Sequence, residues 1–257
     1  MLNELRGRTP LSRYVQGRPG LEETPEAVRT IRQVYLGLAA EVDHHLGRVI
    51  EFLKRTGQYD DTLLVVCSDH GEMLGDHGCW SKVTVFDAAY RIPLIIRDPA
   101  GLGAGRVVTQ PTESVDVFPT LLDYAGLECP TSVDGRSLRP LIAGDAPPDW
   151  RDHTYSELDF GTIPMPRAGW IAGHLTLDRC NLAILREERF TLVHFNGGLP
   201  PLLFDRQAGG EAQNLAGDPA HAGELLRLTR KMLDHRMTHA DATLSDYAIT
   251  AEGPIRA

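Results

Sequence analysis

The stretch from Leu63 to Gly71, which reads Leu-Leu-Val-Val-Cys-Ser-Asp-His-Gly, constrains the fold of this chain more than any other. Its five leading apolar residues are too few to span a membrane. Because they do not alternate with polar residues, they predict a strand buried on both faces of a parallel sheet. The run ends abruptly at Ser68, Asp69 and His70. Ligands bind at the carboxyl ends of strands in open α/β sheets, so this acid–imidazole pair is a candidate site. A plain polar turn is the alternative.

A long amphipathic helix is predicted upstream of this strand. Thr24 suits the N-cap and Pro25 the first helical position. Apolar residues then recur at spacings of three and four until Gly57, which provides a stop. Such a helix is about 50 Å long, so we expect a bend at Gly37 or Gly47.

The pattern of predicted helices and strands changes at the proline-rich stretch 146–149. Before it, the pattern continues with a second short strand at 92–96 and a helix at 112–124. After it, four short runs with tight turns between them predict an antiparallel sheet. These runs lie at 154–157, 181–185, 190–195 and 202–204. A closing amphipathic helix is predicted at 222–239 and an exposed tail at 240–257.

The predicted fold class is therefore α/β, in two parts. Residues 1–147 form a partial sheet with flanking helices, and residues 148–257 form a small α+β subdomain with an antiparallel sheet. The net charge of −9 and pI near 5.5 argue against nucleic acid as a partner. The sequence shows no apolar leader and no membrane-spanning run, so we expect no membrane partner and a cytoplasmic protein. The four cysteines form no CxxC pair.

The residues after the first strand carry the chemistry that the sequence offers. Asp69 and His70 suit a divalent cation, because carboxylates prefer hard ions and imidazole extends the range to Mn²⁺ and Zn²⁺. Gly71 permits the turn that lets both side chains face one ion. Lys82 suits an anionic phosphoryl or sulfuryl oxygen. His77 is a further candidate catalytic residue, with a hydrogen bond inside the loop as the alternative.

These residues resemble the second signature of the sulfatases, in the alkaline phosphatase superfamily. The resemblance is carried by Ser68–Glu72, Gly75–Gly78, Trp80 and Lys82, and further along by Ser114–Gly126, Asp134–Leu138, Leu203–Asp205 and Glu211–Ala216. Within that family, the run Phe86–Pro99 is most similar to the phosphonate monoester hydrolase and phosphodiesterase branch. The resemblance covers roughly residues 24 to 245, with the segments in the family's order.

The resemblance implies an alkaline-phosphatase-like fold and hydrolysis of phosphonate, phosphate or sulfate esters. It makes Asp69 and His70 metal ligands and gives Lys82 the phosphoryl or sulfuryl group, or its leaving group. The expected ion is Mn²⁺ or Ca²⁺, with Zn²⁺ and Mg²⁺ as alternatives. The expected partner is a small anionic ester, and a homo-oligomer is compatible with this branch.

The sequence departs from the family at the nucleophile. None of the four cysteines begins the C-x-P-x-R motif from which the family makes formylglycine, and only 68 residues precede Asp69. The chain therefore resembles the C-terminal half of such an enzyme, and we expect no turnover without an N-terminal half. One alternative is a non-catalytic interaction or oligomerisation remnant of the family. Another is an unrelated metal-binding α/β domain.

Overall fold

The computed structural model describes residues 24–159, 179–240, 247–251 and 253–256. Their fold is α/β, as predicted. The helices are α1 (Pro25–Arg55), α2 (Asp87–Tyr90), α3 (Val117–Ala125), α4 (Arg139–Ala143) and α5 (Ala222–Thr238). The strands are β1 (Leu64–Cys67), β2 (Leu94–Arg97), β3 (Thr154–Asp159), β4 (Asn181–Arg186), β5 (Phe190–Phe195), β6 (Leu202–Asp205), β7 (Tyr247–Thr250) and β8 (Gly253–Arg256).

Helix α1 forms where its caps and periodicity predict. The Thr24 hydroxyl accepts a hydrogen bond from the Ala27 N–H at 3.2 Å, and Gly57 follows the helix with a left-handed φ of 72°. The helix is unbroken over its 31 residues and passes through both Gly37 and Gly47. None of its side chains is buried. Across the described ranges, no helix combines the length and the apolar character needed to cross a membrane.

Strand β1 corrects the prediction of a parallel strand buried on both faces. It pairs antiparallel with β2, with Val65 opposite Ile96, in a sheet of two strands. Its side chains are only half-buried, and Cys67 is exposed. A continuous apolar run predicts a strand but not its neighbour, because pairing is decided by residues far away in the chain. A sheet of two strands also leaves its outer edges unpaired.

The strands β3 to β6 form an antiparallel sheet in sequence order, as predicted. The alternation of side chains along β4 gives the sheet two apolar faces. One face contributes Leu185 to a core that includes Leu228 and Met232 of α5. The opposite face contributes Ile184 to a second core. Both faces of this sheet are therefore covered.

The second core joins the two parts that the sequence predicts as separate domains. It packs Met73 and Phe86, from the segment after β1, against Ile184, Val193 and Phe204 of the antiparallel sheet. The chain on both sides of the proline-rich stretch 146–149 thus shares one hydrophobic core. At the end of the chain, within the stretch predicted as an exposed tail or arm, β7 and β8 pair as a hairpin with Thr250 opposite Gly253.

Candidate metal and anion site

The residues that follow β1 form a tight corner that orients the two side chains predicted to bind a metal. The Ser68 hydroxyl donates to the His70 carbonyl at 2.7 Å, and the His70 N–H donates to Asp69 Oδ1 at 2.9 Å. His70 Nδ1 lies 2.8 Å from the Gly71 carbonyl, which can only accept. In the neutral ring this contact places the proton on Nδ1 and leaves the lone pair on Nε2. Asp69 Oδ2 lies 3.5 Å from this Nε2, so a carboxylate oxygen and an imidazole nitrogen converge.

The donors of this corner fit a divalent cation. The Asp69 side chain is 85% exposed and that of His70 is 38% exposed, so an ion can reach both. The carbonyl that fixes the His70 ring is the kind of outer partner that metal-ligating histidines use. Among the residues that the structure describes, no group of three His, Cys, Asp or Glu side chains gathers around one point. The corner therefore offers two candidate ligands, and a closed metal site needs others.

Gly71 holds the corner against helix α2 in a way that no other residue permits. Its N–H donates to the Ala89 carbonyl at 2.8 Å. A Cβ built on Gly71 would lie 2.0 Å from the Ala88 carbonyl oxygen, which is far inside contact distance. The absence of a side chain is what allows α2 to support the two candidate ligands.

The segment from Gly71 to Lys82, here called the site loop, folds back on itself. The Met73 N–H donates to the Ser81 carbonyl at 3.0 Å, and the Glu72 carboxylate accepts the Ser81 N–H at 2.6 Å. Ser81 thus lies against Met73, and Lys82, which is exposed, comes directly after it. The loop brings the predicted anion-binding lysine back toward the start of the site loop.

Three non-glycine residues of the site loop have left-handed backbone angles. Leu74, His77 and Ser81 have φ values of 49°, 55° and 67°. Such conformations are strained for residues with a Cβ and persist where surrounding contacts fix them. Helix α1 provides one such contact, because Arg32 donates to the Leu74 carbonyl at 2.8 Å and pairs with Asp76 at 2.9 Å.

The structure places His77 on the inner side of the site loop. Its ring stacks on the buried Phe86 ring with a centroid distance of 4.2 Å. Its Nε2 lies 3.7 Å from Glu211 Oε2. Burial lowers the pKa of His77, against the opposing charge of Asp76. The ring therefore faces a carboxyl group from the C-terminal part of the chain, and its catalytic role stays a prediction.

Glu211 belongs to a charged cluster that sequence reasoning missed. Its Oε1 accepts the Asp87 N–H at 2.8 Å. The Asp87 carboxylate in turn pairs with Arg186 at 2.6 Å and with Arg206 at 2.9 Å. Burial and the charge of Asp87 raise the pKa of Glu211 to about 7. No local pattern announces this cluster, because Asp87 and Glu211 are 124 residues apart in sequence.

Comparison with known proteins agrees with this architecture. A family model described as Sulfatase matches residues 10–127, and one described as N-sulphoglucosamine sulphohydrolase, C-terminal, matches residues 75–238. The chain belongs to the sulfatase family of the alkaline phosphatase superfamily.

The individual relatives include phosphonate monoester hydrolases. The multifunctional alkaline phosphatase superfamily protein PehA of Trinickia caryophylli is 42% identical over 231 residues, which cover 88% of this chain and 44% of PehA. The phosphonate monoester hydrolase SpPMH of Silicibacter pomeroyi is 51% identical with a TM-score of 0.89, covering 100% of this chain and 53% of that one. The phosphonate monoester hydrolase of Agrobacterium radiobacter is 43% identical with a TM-score of 0.82, covering 91% and 46%. The chain thus spans about half the length of these relatives.

Proposed function

We propose that this chain supplies the metal-ligating and anion-binding part of a hydrolase of phosphonate, phosphate or sulfate esters. The observation that supports the proposal is the corner after β1, where Asp69 Oδ2 and His70 Nε2 converge at 3.5 Å. These two side chains would hold Mn²⁺ or Ca²⁺, with Zn²⁺ and Mg²⁺ as alternatives. A bound divalent ion supplies positive charge at an ester oxygen.

The other residues of the site have separate tasks in this proposal. The exposed ammonium group of Lys82 neutralises charge on the transferred group or on the leaving oxygen. The carbonyl of Gly71 keeps the proton of His70 on Nδ1, so that Nε2 stays available as a ligand. The half-open corner admits a small anionic ester, which is the substrate class that we propose.

The nucleophile comes from elsewhere in this proposal, because the 257 residues contain no C-x-P-x-R motif. We propose that the nucleophile and the remaining metal ligands belong to the half of the relatives' fold that these 257 residues do not cover. Residues 1–257 alone then turn over no ester.

The experiment begins with the DNA directly upstream of the Met1 codon. An in-frame C-x-P-x-R motif defines a longer polypeptide, which is assayed with Mn²⁺ on p-nitrophenyl phenylphosphonate, phosphate and sulfate beside residues 1–257. We expect only the longer polypeptide to hydrolyse an ester, and we expect the D69A variant to lose at least about a thousandfold.

The matched control compares two exposed lysines. K82A lowers kcat by about a hundredfold, whereas K54A, on α1, changes it by less than about twofold. Metal-dependent turnover by residues 1–257 alone, abolished in D69A, would overturn the dependence on a second part. A longer polypeptide that is inactive on all three esters would overturn the proposed activity.

A second candidate is a non-catalytic assembly module. The exposed apolar side chains of α1 favour it, since Leu38 is 57% exposed and Val42 is 68% exposed, and such faces usually contact another chain. Sedimentation of residues 1–257 decides this point, because self-association that is lost in V42E supports assembly through α1. A monomer at all concentrations contradicts it.

A further inference from the structure

The turn after the C-terminal sheet places the side chain of Glu211 between helix α2 and the site loop. This side chain is 13% exposed. One of its oxygens accepts the Asp87 N–H at the start of α2, and the other lies 3.7 Å from His77 Nε2. It therefore joins α2, which supports the metal corner, to the loop that leads to Lys82.

Glu211 is presented from a rigid base. It follows a turn at the end of β6 in which Asp205 Oδ1 accepts the N–H groups of Gln207 and Ala208 at 3.0 and 3.2 Å. Asp205 is itself paired with Arg189 at 2.8 Å, and a bridge joins Asp205 to Gly210. The position of Glu211 is thus set by the antiparallel sheet.

The residue that Glu211 meets is one that needs support. His77 has a left-handed φ of 55°, which is costly for a residue with a side chain. Its imidazole has the Phe86 ring on one face and the Glu211 carboxyl group at Nε2. The Phe86 ring sets the plane of the imidazole, and the Glu211 carboxyl group borders its Nε2 edge at ion-pair distance, beyond hydrogen-bond length.

We infer that Glu211 is a positioning residue for the proposed site, acting through His77 to fix the path of the site loop and the direction of Lys82. The inference rests on the proposed function for its effect on catalysis. The effect on the path of the site loop is independent of the proposed function, because the contact between Glu211 and His77 lies within this chain. Asp87, whose N–H donates to Glu211, is itself paired with Arg186 and Arg206.

The test is a double-mutant cycle of E211A and H77A. In residues 1–257, hydrogen exchange is measured for peptides within the site loop, with circular dichroism and the melting temperature as checks of folding. E211A should raise exchange in that loop by about tenfold, and the effects of E211A and H77A should be less than additive in the double variant, because both remove the contact between Glu211 and His77. E211Q should stay within about twofold of the wild type, because Gln keeps the carbonyl acceptor for the Asp87 N–H.

The control is E188A, since Glu188 is an exposed acid in the turn between β4 and β5 and should leave the loop unchanged. Additive effects of E211A and H77A, or unchanged loop exchange in E211A, would overturn the inference. If H77A does not fold, E211A and E211Q alone decide between the two results.

A second readout uses the longer polypeptide of the activity experiment. There, E211A should lower kcat about tenfold while KM stays within about twofold, and E211Q should restore kcat. If the exchange effects of E211A and H77A are coupled but the longer wild-type polypeptide hydrolyses no ester, only the proposed function is contradicted. An active wild type whose E211A variant keeps its kcat would count against the positioning role only.

Discussion

The antiparallel sheet and the region of α1 and β1 use the same kinds of residue in opposite ways. In the sheet, Ile184, Leu192 and Phe204 are fully buried, whereas Val42 of α1 is 68% exposed and Ile95 of β2 is 62% exposed. Burial of apolar area is the main favourable term in folding. The stability of this chain therefore resides in its C-terminal sheet and the site loop packed on it, and the candidate ligands lie where this core meets the exposed region.

The sharpest test of this contrast compares two phenylalanines. F204A should lower the free energy of unfolding by about 3–5 kcal/mol, because it removes a fully buried ring. F52A should lower it by less than about 1 kcal/mol, because the Phe52 ring is 49% exposed. Urea unfolding followed by circular dichroism measures both. Equal losses would mean that α1 is as much a part of the folding unit as the sheet is.

A second comparison concerns ion pairs. Asp116 has no exposed side-chain area, and both of its oxygens accept from Arg151, at 2.5 and 2.7 Å. D116A leaves the buried guanidinium group with Glu113 alone, at 3.1 Å, and removes the acceptor of the Glu113 and Arg136 N–H groups, so it should cost about 3 kcal/mol. E51A breaks the exposed Lys54–Glu51 pair and should cost less than about 0.5 kcal/mol. The same urea experiment measures both variants. A loss below about 1 kcal/mol in D116A would show that the Arg151–Asp116 ion pair contributes little to stability.

The pH dependence of stability tests the burial of Glu211 beside Asp87. The raised pKa of Glu211, about 7 against 4.5, means that its contribution is fully present below pH 4.5 and is lost as the pH rises through 7. E211Q cannot ionise, so it should be more stable than the wild type by about 2 kcal/mol at pH 8. The two proteins should converge near pH 4.5.

Other titratable and charged groups face Glu211. The difference in stability between the wild type and E211Q isolates the contribution of Glu211, because both proteins contain these other groups. These groups are His77, Asp87, Arg186 and Arg206. The lowered pKa of His77 has the opposite sign, because its contribution is present above pH 6.5 and is lost as the pH falls. Thermal unfolding at pH 5 and pH 8 gives the difference. A difference that does not change with pH would show that Glu211 keeps its ordinary pKa.

The smallest expected effect is that of a metal on the chain alone. Two ligands at an exposed corner bind weakly, so 1 mM Mn²⁺ should stabilise residues 1–257 by less than about 1 kcal/mol. The shift in melting temperature should vanish in D69A and remain in D60A, since Asp60 is an exposed acid before β1. An equal shift in all three proteins would place the ion elsewhere.

Local sequence signals predicted the elements of this fold well. The cap at Thr24, the periodicity behind it and the stop at Gly57 define α1 to within a few residues. Runs bounded by tight turns likewise predicted the four strands of the antiparallel sheet. The helix continues through Gly37, because a glycine in a helix costs only about 1 kcal/mol.

The candidate site divides in the same way. The residues Asp69, His70 and Lys82 were found from their chemistry and their position after a strand. The contact between Glu211 and His77 could not be predicted, because the residues next to Glu211 in sequence give no sign of a contact with so distant a loop. Three-dimensional packing alone brings the carboxyl group to the imidazole at 3.7 Å.

The sequence by itself determined the properties that depend on neighbours along the chain. These are the helix caps, the apolar periods, the turns and the order of the family's motifs. Only the tertiary structure decided that β1 pairs antiparallel with β2, that one core joins the site loop to the C-terminal sheet, and that Glu211 faces His77. The physical reason is that backbone preferences act over a few residues, whereas burial and charge pairing act between surfaces that meet only after the chain has folded.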